Sequence, residues 1–151
     1  MNTLGRILLV EDDPLDVELT LTALGEYNLA NEVVVVNDGA AALDFLYRRG
    51  AHAARATENP AVLLLDLKLP KVNGLEVLQR IRSDPQLRLI PVVILTSSHE
   101  ERDMVASYEL GVNAYVVKPV EFHAFVNAIK ELGVFWAVVN EPPPGSLRKS
   151  G

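Results

Sequence analysis

Cysteine is absent from the 151 residues of this chain. Its absence excludes a disulfide framework, a thiolate metal site and a cysteine nucleophile. Long apolar runs are also missing, since no stretch approaches the roughly 18 uncharged residues of a membrane span. The N-terminal segment MNTLGRILLVEDD meets acidic residues too early for a signal peptide. We therefore expect a soluble, cytoplasmic protein without a membrane partner.

Basic residues are in the minority, with 14 Lys and Arg against 20 Asp and Glu, which gives a net charge of −6. This balance disfavours non-specific nucleic-acid binding, and we expect no such partner. A hydrophobic content of 49% and a charged content of 23% are ordinary for a globular protein, so the composition disfavours disorder. At this length, one domain with a substantial core is the simplest expectation.

Short apolar runs alternate with amphipathic segments, a pattern typical of an α/β fold. The predicted strands cover residues 7–10, 33–36, 61–65, 92–95 and 114–117. N-terminal signals predict helices after the first four strands, starting at Asp13-Pro14, Asp38-Gly39, Asn73 and Ser98. The last helix is predicted to start near Glu121. The capping box of Ser98 and Glu101 opens the fourth helix, which we expect to continue to Gly111.

The C-terminal region extends the apolar stripe of the last helix beyond Gly133, where the helix could kink or end. We expect one domain over residues 1–132, followed by a helical extension and a flexible Pro-rich tail over residues 133–151, without an output domain. Apolar residues lie on two sides of the extension: Val134, Phe135, Trp136, Val138 and Val139. We expect them to form a homodimer seam. The alternative is that this end folds back and completes the core.

Polar residues stand where four of the predicted strands stop. They are Glu11 and Asp12 after the first strand, Asp66 after the third, Thr96 after the fourth and Lys118 after the fifth. Right-handed crossovers place these strand ends on one edge of the sheet, so the side chains would converge if the strands are neighbours. Each residue alone has an ordinary explanation as a cap, a turn or a solvated charge. Their combination indicates a site.

The charges of this constellation favour phosphoryl transfer. Three ionised acids and one lysine sum to −2, which a divalent cation would neutralise. All-oxygen ligation favours Mg²⁺ over zinc. Asp66 would be the nucleophile that forms an aspartyl phosphate, and Lys118 and Mg²⁺ would neutralise the phosphoryl oxygens. Thr96 would donate a hydrogen bond to one of these oxygens.

Four motifs together resemble the receiver domain of two-component response regulators, over residues from about Arg6 to Leu132. They are ILLVEDDP, LLLDLKLPKVNG, PVVILTSS and AYVVKP. The resemblance implies a doubly wound, flavodoxin-like parallel sheet in the order 2-1-3-4-5 with five flanking helices. It also implies a switch, not an enzyme, whose Asp66 is phosphorylated by a histidine kinase and which assists its own phosphorylation and dephosphorylation.

The resemblance also assigns roles to individual residues. The Mg²⁺ ligands would be Asp12, Asp66, the backbone carbonyl of Lys68 and, through water, Glu11. Tyr115 matches the aromatic residue whose rotamer follows Thr96, and the Lys118-Pro119 bond would be cis. Phosphorylation would then alter the surface of helix four, strand five and helix five.

Softer stretches, among them FWAVV near the end, resemble the small stand-alone regulators partnered with phytochrome-type sensor kinases. Two positions depart from the pattern. Lys68 places an ammonium two residues after the phosphoacceptor, at the mouth of the site. Ser98, two residues after Thr96, offers no acid or amide to orient water. Both leave the phosphoryl lifetime open.

Three other functions would use part of this pattern. A haloacid-dehalogenase-like phosphatase also uses an aspartyl nucleophile and Mg²⁺, but it requires a second acid where Lys68 stands. A flavodoxin-like cofactor binder requires a Gly/Ser/Thr-rich phosphate loop after the first strand, which this chain lacks. A degenerate receiver that only binds is disfavoured because every site residue is present.

Overall fold

The computed structural model describes residues 7–26, 33–50, 59–112 and 114–133. Its five strands are β1 (Ile7–Val10), β2 (Val33–Val36), β3 (Val62–Asp66), β4 (Val92–Thr96) and β5 (Ala114–Val117). They form one parallel sheet in the order β2-β1-β3-β4-β5, as predicted. β3 is therefore the central strand, and Asp66 at its carboxyl end pairs with Leu95 of β4. This order brings the carboxyl ends of β1, β3, β4 and β5 to one edge.

Five helices connect and flank the strands: α1 (Pro14–Gly25), α2 (Gly39–Tyr47), α3 (Gly74–Ser83), α4 (His99–Ser107) and α5 (Phe122–Glu131). The first four begin at predicted N-caps whose side chains accept backbone hydrogen bonds, namely Asp13, Asp38, Asn73 and Ser98. Glu121 precedes α5 without a side-chain cap. Within the described residues, no helix is both long enough and apolar enough to span a bilayer.

The core has two layers, one on each side of the sheet. Alternate residues of each strand point to opposite layers. Ile7 and Leu9 pack with α1 and α5, whereas Leu8 and Val10 pack with α2 and α3. All four residues of β1 and all five of β3 are buried, which explains why these strands lack polar alternation. The central strands thus hold the edge that carries the polar residues in fixed register.

α4 ends at Ser107 and α5 ends at Glu131. The prediction that α4 continues to Gly111 is wrong, because the helix ends at Ser107. Glu109 takes a left-handed φ of 54°, and the carbonyl of Leu110 accepts a hydrogen bond from Arg82 Nε at 2.9 Å, so tertiary contact holds this segment as a loop. α5 ends at Glu131, with Gly133 at a φ of 73°, which fits a helix that ends there rather than kinks.

The predicted dimer seam, Val134, Phe135, Trp136, Val138 and Val139, lies outside the described residues, as do the helical extension and the Pro-rich tail. Both remain predictions.

Candidate functional site

Three carboxylates meet at the carboxyl ends of β1 and β3. One oxygen from each of Glu11, Asp12 and Asp66 lies within 4.8 Å of the others. Glu11 and Asp66 are buried, whereas Asp12 is exposed. The cluster therefore has a buried floor and one acid that faces solvent, and it offers the oxygen donors that a hard divalent cation requires.

Backbone contacts fix Glu11 as an extension of β1. Its N–H donates to the Val36 carbonyl of β2 at 3.0 Å, and its own carbonyl accepts from Asn37 Nδ2 at 3.2 Å. The N–H of Asp13 donates to Glu11 Oε1 at 3.2 Å. Burial is the main cause, and the hydrogen bond with Asp66 the second, of a rise in the pKa of Glu11 from 4.5 to about 7. Glu11 thus binds a proton more readily than an ordinary glutamate.

Lys118 joins this cluster from the end of β5. Its ammonium donates to Asp66 Oδ2 at 3.0 Å, to Asp16 Oδ2 at 3.2 Å and to Glu11 Oε2 at 3.4 Å. Burial alone would lower the pKa of Lys118, but the hydrogen bond and charge of Asp66 outweigh burial and raise it above its ordinary value. The Lys118-Pro119 bond is cis, as the resemblance implied.

Asp16 was missed by the sequence analysis. It lies on the first turn of α1, four residues after Asp12, and it brings a fourth carboxylate to the site. With all four acids ionised, four negative charges and one ammonium sum to −3, so a divalent cation would leave −1 rather than zero. Acids in the first turn of a helix that starts at a strand's carboxyl end were the available signal.

Thr96 ends β4 and is fully buried. Its Oγ1 has no hydrogen-bond partner among the described residues. An unpaired buried hydroxyl costs about 1–3 kcal/mol, so Thr96 Oγ1 would be stabilised by a hydrogen-bond acceptor at this position. The prediction that Thr96 lies at this edge is correct in position, since its carbonyl accepts from the Lys118 N–H at 2.8 Å.

Tyr115 lies on β5 and is half-buried. Its hydroxyl donates to the Val112 carbonyl at 3.4 Å, and the Arg102 guanidinium lies 5.0 Å from the centre of its ring. Tyr115 thus contacts the surface of α4, one of the elements predicted to change. Its role as a switch residue remains a prediction.

Lys68 contacts the site through its backbone and α4 through its side chain. Its N–H donates to Asp66 Oδ1 at 3.2 Å, so its backbone lies against the predicted nucleophile. Its ammonium forms an ion pair with Glu101 Oε2 of α4 at 3.2 Å. The effect of this ammonium on the phosphoryl lifetime stays a prediction. Ser98 caps α4 by accepting from the Glu101 N–H at 3.3 Å.

Comparison with known proteins identifies the class of this site. Residues 7–130 match the family model described as the response regulator receiver domain. Response regulator Rcp1 of Synechocystis sp. is 41% identical over 130 residues, which are 86% of this chain and 87% of that relative.

Two solved structures of response regulators are also similar to this chain. The bacteriophytochrome response regulator RtBRR is 71% identical with a TM-score of 0.84, covering 95% of this chain and 86% of that chain. The bacteriophytochrome response regulator AtBRR is 65% identical with a TM-score of 0.83, covering 89% and 96% respectively. These matches give no support to the haloacid-dehalogenase-like alternative. The chain belongs to the response regulator receiver family and is a phosphoacceptor receiver similar to the phytochrome-associated members.

Proposed function

We propose that Asp66 accepts a phosphoryl group from a sensor histidine kinase. The observation that carries the proposal is the pair of contacts on its carboxylate, with Oδ2 at 3.0 Å from the Lys118 ammonium and Oδ1 at 3.2 Å from the Lys68 N–H. An Asp66 oxygen attacks phosphorus, the bond from phosphorus to the donor nitrogen breaks, and its electron pair leaves with the histidine. Lys118 lies where negative charge accumulates on the phosphoryl oxygens.

Mg²⁺ fits the donor set because Glu11, Asp12 and Asp66 offer only oxygen atoms, close together and partly open to solvent. In this proposal Asp12, Asp66 and the Lys68 carbonyl would hold the ion directly, and Glu11 would act through water. The ion supplies positive charge that offsets the repulsion between the carboxylate and the incoming phosphoryl oxygens.

The output of the proposed switch begins at Thr96. Phosphorylation replaces a charge of −1 on Asp66 by one of about −1.5 to −2 and adds acceptor oxygens. The buried Thr96 hydroxyl, which lacks a partner among the described residues, would donate to one of them. Tyr115 would then turn inward and alter the surface of α4, β5 and α5. In this role the protein is a switch and not an enzyme.

Two partners belong to the proposal. A phytochrome-type histidine kinase is favoured by the similarity to RtBRR and AtBRR, whose names place them with bacteriophytochromes. A homodimer through Val134, Phe135, Trp136, Val138 and Val139 is favoured by the apolar sequence of that segment. A chain lacking residues 134–151 should sediment as a smaller species than the full chain, and identical sedimentation at all concentrations would refute the seam. The cytoplasmic location stays a prediction.

Mass measurement of the intact protein after incubation with acetyl phosphate and Mg²⁺ tests the phosphoacceptor. We expect a base-labile phosphoryl adduct that disappears when Mg²⁺ is chelated. Asp66→Asn should form none, whereas Asp103→Asn, which removes an exposed acid of α4, should react like the unaltered chain. An adduct retained by Asp66→Asn would refute the assignment of the nucleophile.

A further inference from the structure

Asp16 differs from the other two carboxylates that contact Lys118. All three lie 3.0–3.4 Å from the ammonium, which can donate three hydrogen bonds. Glu11 and Asp66 also belong to the group of acids that could hold a metal ion, whereas Asp16 does not. Among the described partners of Lys118, Asp16 is therefore the one that has no other task in the proposed reaction.

We infer that Asp16 is a positioning residue that holds the Lys118 ammonium in place for phosphoryl transfer to Asp66. This inference rests on the proposed function. In the proposed reaction, Glu11 and Asp66 would help to hold the cation and Asp66 would attack phosphorus, so neither carboxylate would be reserved for Lys118. Asp16 would keep one N–H of Lys118 occupied and would leave the other two for phosphoryl oxygens.

The position of Asp16 in the first turn of α1 favours this role. Its N–H lies 3.4 Å from Asp13 Oδ1, within the cap that fixes the first turn of α1. The positive end of the helix dipole favours a carboxylate in this turn. The side chains of Asp16 and Lys118 are 24% and 18% exposed, so water screens their attraction less than at an open surface.

The gain from such an anchor is entropic as well as electrostatic. A lysine side chain has four rotatable bonds, and fixing it costs rotamer freedom. The contact with Asp16 restricts the Lys118 side chain already in the resting protein, so less rotamer freedom is lost when the phosphoryl donor binds. Without Asp16, Lys118 would have to be ordered by the reacting groups themselves, and the barrier would rise.

The rate of adduct formation, followed by intact mass with acetyl phosphate and Mg²⁺, tests the inference. Asp16→Asn should slow the reaction by about tenfold, which corresponds to about 1.4 kcal/mol. Asp16→Glu, which keeps the charge, should recover part of the loss. Glu18→Gln is the matched control, because it removes the same charge from an exposed residue of α1 two positions later. It should react at the rate of the unaltered chain.

A double-mutant cycle separates positioning from a merely structural role. In a Lys118→Met background, Asp16→Asn should have no further effect, because the residue that it positions is gone. A tenfold loss in both backgrounds, or a normal rate for Asp16→Asn alone, would overturn the inference. If urea titration shows that Asp16→Asn is unfolded, Asp16→Glu becomes the test. A folded Asp16→Glu chain that recovers none of the rate of adduct formation would also overturn the inference. Failure of the proposed function looks different, since the unaltered chain would then form no adduct on Asp66.

Discussion

The ammonium of Lys68 lies 3.2 Å from Glu101 Oε2, so an ion pair joins the loop after β3 to the first turn of α4. Glu101 also accepts from the N–H of Ser97 at 3.0 Å and from its hydroxyl at 2.9 Å. Burial alone would raise the pKa of Glu101, but the bonds from Ser97 and the Lys68 charge lower it below its ordinary value. The Glu101 carboxylate therefore connects Lys68, two residues after Asp66, to Ser97, which directly follows Thr96.

We predict that Glu101→Ala is more destabilising than Lys68→Ala. Glu101→Ala removes two hydrogen bonds to a charged group as well as the ion pair, and we expect a loss of about 1–3 kcal/mol in the free energy of unfolding. Lys68 is 78% exposed, so its ion pair should contribute less than about 1 kcal/mol. Urea titration at neutral pH measures both. Glu76→Ala, which breaks the exposed pair with Arg80, is the control and should cost at most about 0.5 kcal/mol. Equal losses for Lys68→Ala and Glu101→Ala would contradict the prediction.

The sequence predicted the start of α4 and its cap, but only part of the hydrogen bonding of that cap. Ser98 and Glu101 were predicted to form a capping box, and Ser98 Oγ does accept from the Glu101 N–H. The Glu101 carboxylate, however, binds Ser97 rather than the N–H of Ser98. The three-residue spacing of Ser98 and Glu101 determines which backbone N–H the Ser98 side chain can reach. The partner of the longer Glu101 side chain depends on its surroundings.

The same distinction explains the success with the strands and the failure at Asp16. Strands such as β3 are buried on both faces, so an uninterrupted apolar run is enough to locate them. The edge residues Glu11, Asp66 and Lys118 follow from those strand ends. Asp16 reaches Lys118 across 102 positions of the chain, and its direction depends on how α1 packs against the sheet. No local pattern specifies that packing.

We predict that Gly74→Ala is destabilising. A Cβ at Gly74 would overlap the carbonyl oxygen of Asp66 and lie 2.6 Å from Leu67 Cα, and both of these atoms belong to the backbone. The loop would have to shift away from the predicted phosphoacceptor, at a cost of about 1–3 kcal/mol. Thermal or urea unfolding measures the loss. Gly25→Ala is the matched control, since a Cβ there meets nothing within 4 Å, and alanine should be neutral or slightly stabilising. A Gly74→Ala chain as stable as the Gly25→Ala chain would show that the loop accommodates the methyl group.

We predict a pH-dependent contribution from the hydrogen bond of Tyr47 to Asp84, whose oxygen atoms are 2.7 Å apart. This bond lowers the pKa of Asp84 below 3.8, so its contribution to stability is present above that pH and is lost as the pH falls through the folded value. The same bond raises the pKa of Tyr47 above 10, so the contribution is also lost as the pH rises through the raised value.

Urea midpoints of Tyr47→Phe and the unaltered chain over a pH series test this. The variant should be less stable at neutral pH, and the difference should shrink in strong acid and in strong base. Tyr108→Phe, which changes a tyrosine with 51% exposure after α4, should have little effect on the urea midpoint at neutral pH. A difference between Tyr47→Phe and the unaltered chain that stays constant from acid to base would exclude the ionised Asp84 as the partner that matters.

We predict that Thr96→Val stabilises the unphosphorylated protein. Valine keeps the shape of the side chain and removes a buried hydroxyl that has no partner among the described residues. Relieving that desolvation cost should raise the free energy of unfolding by about 1 kcal/mol. Thr22→Val is the control, because the Thr22 hydroxyl donates to the Glu18 carbonyl at 2.9 Å on an exposed helix face, and its loss should not stabilise. A decrease in stability for Thr96→Val would mean that the hydroxyl is already paired at rest. In that case it would not be free to receive a phosphoryl oxygen at no cost, and the proposed coupling from Asp66 to Thr96 would lose its driving force.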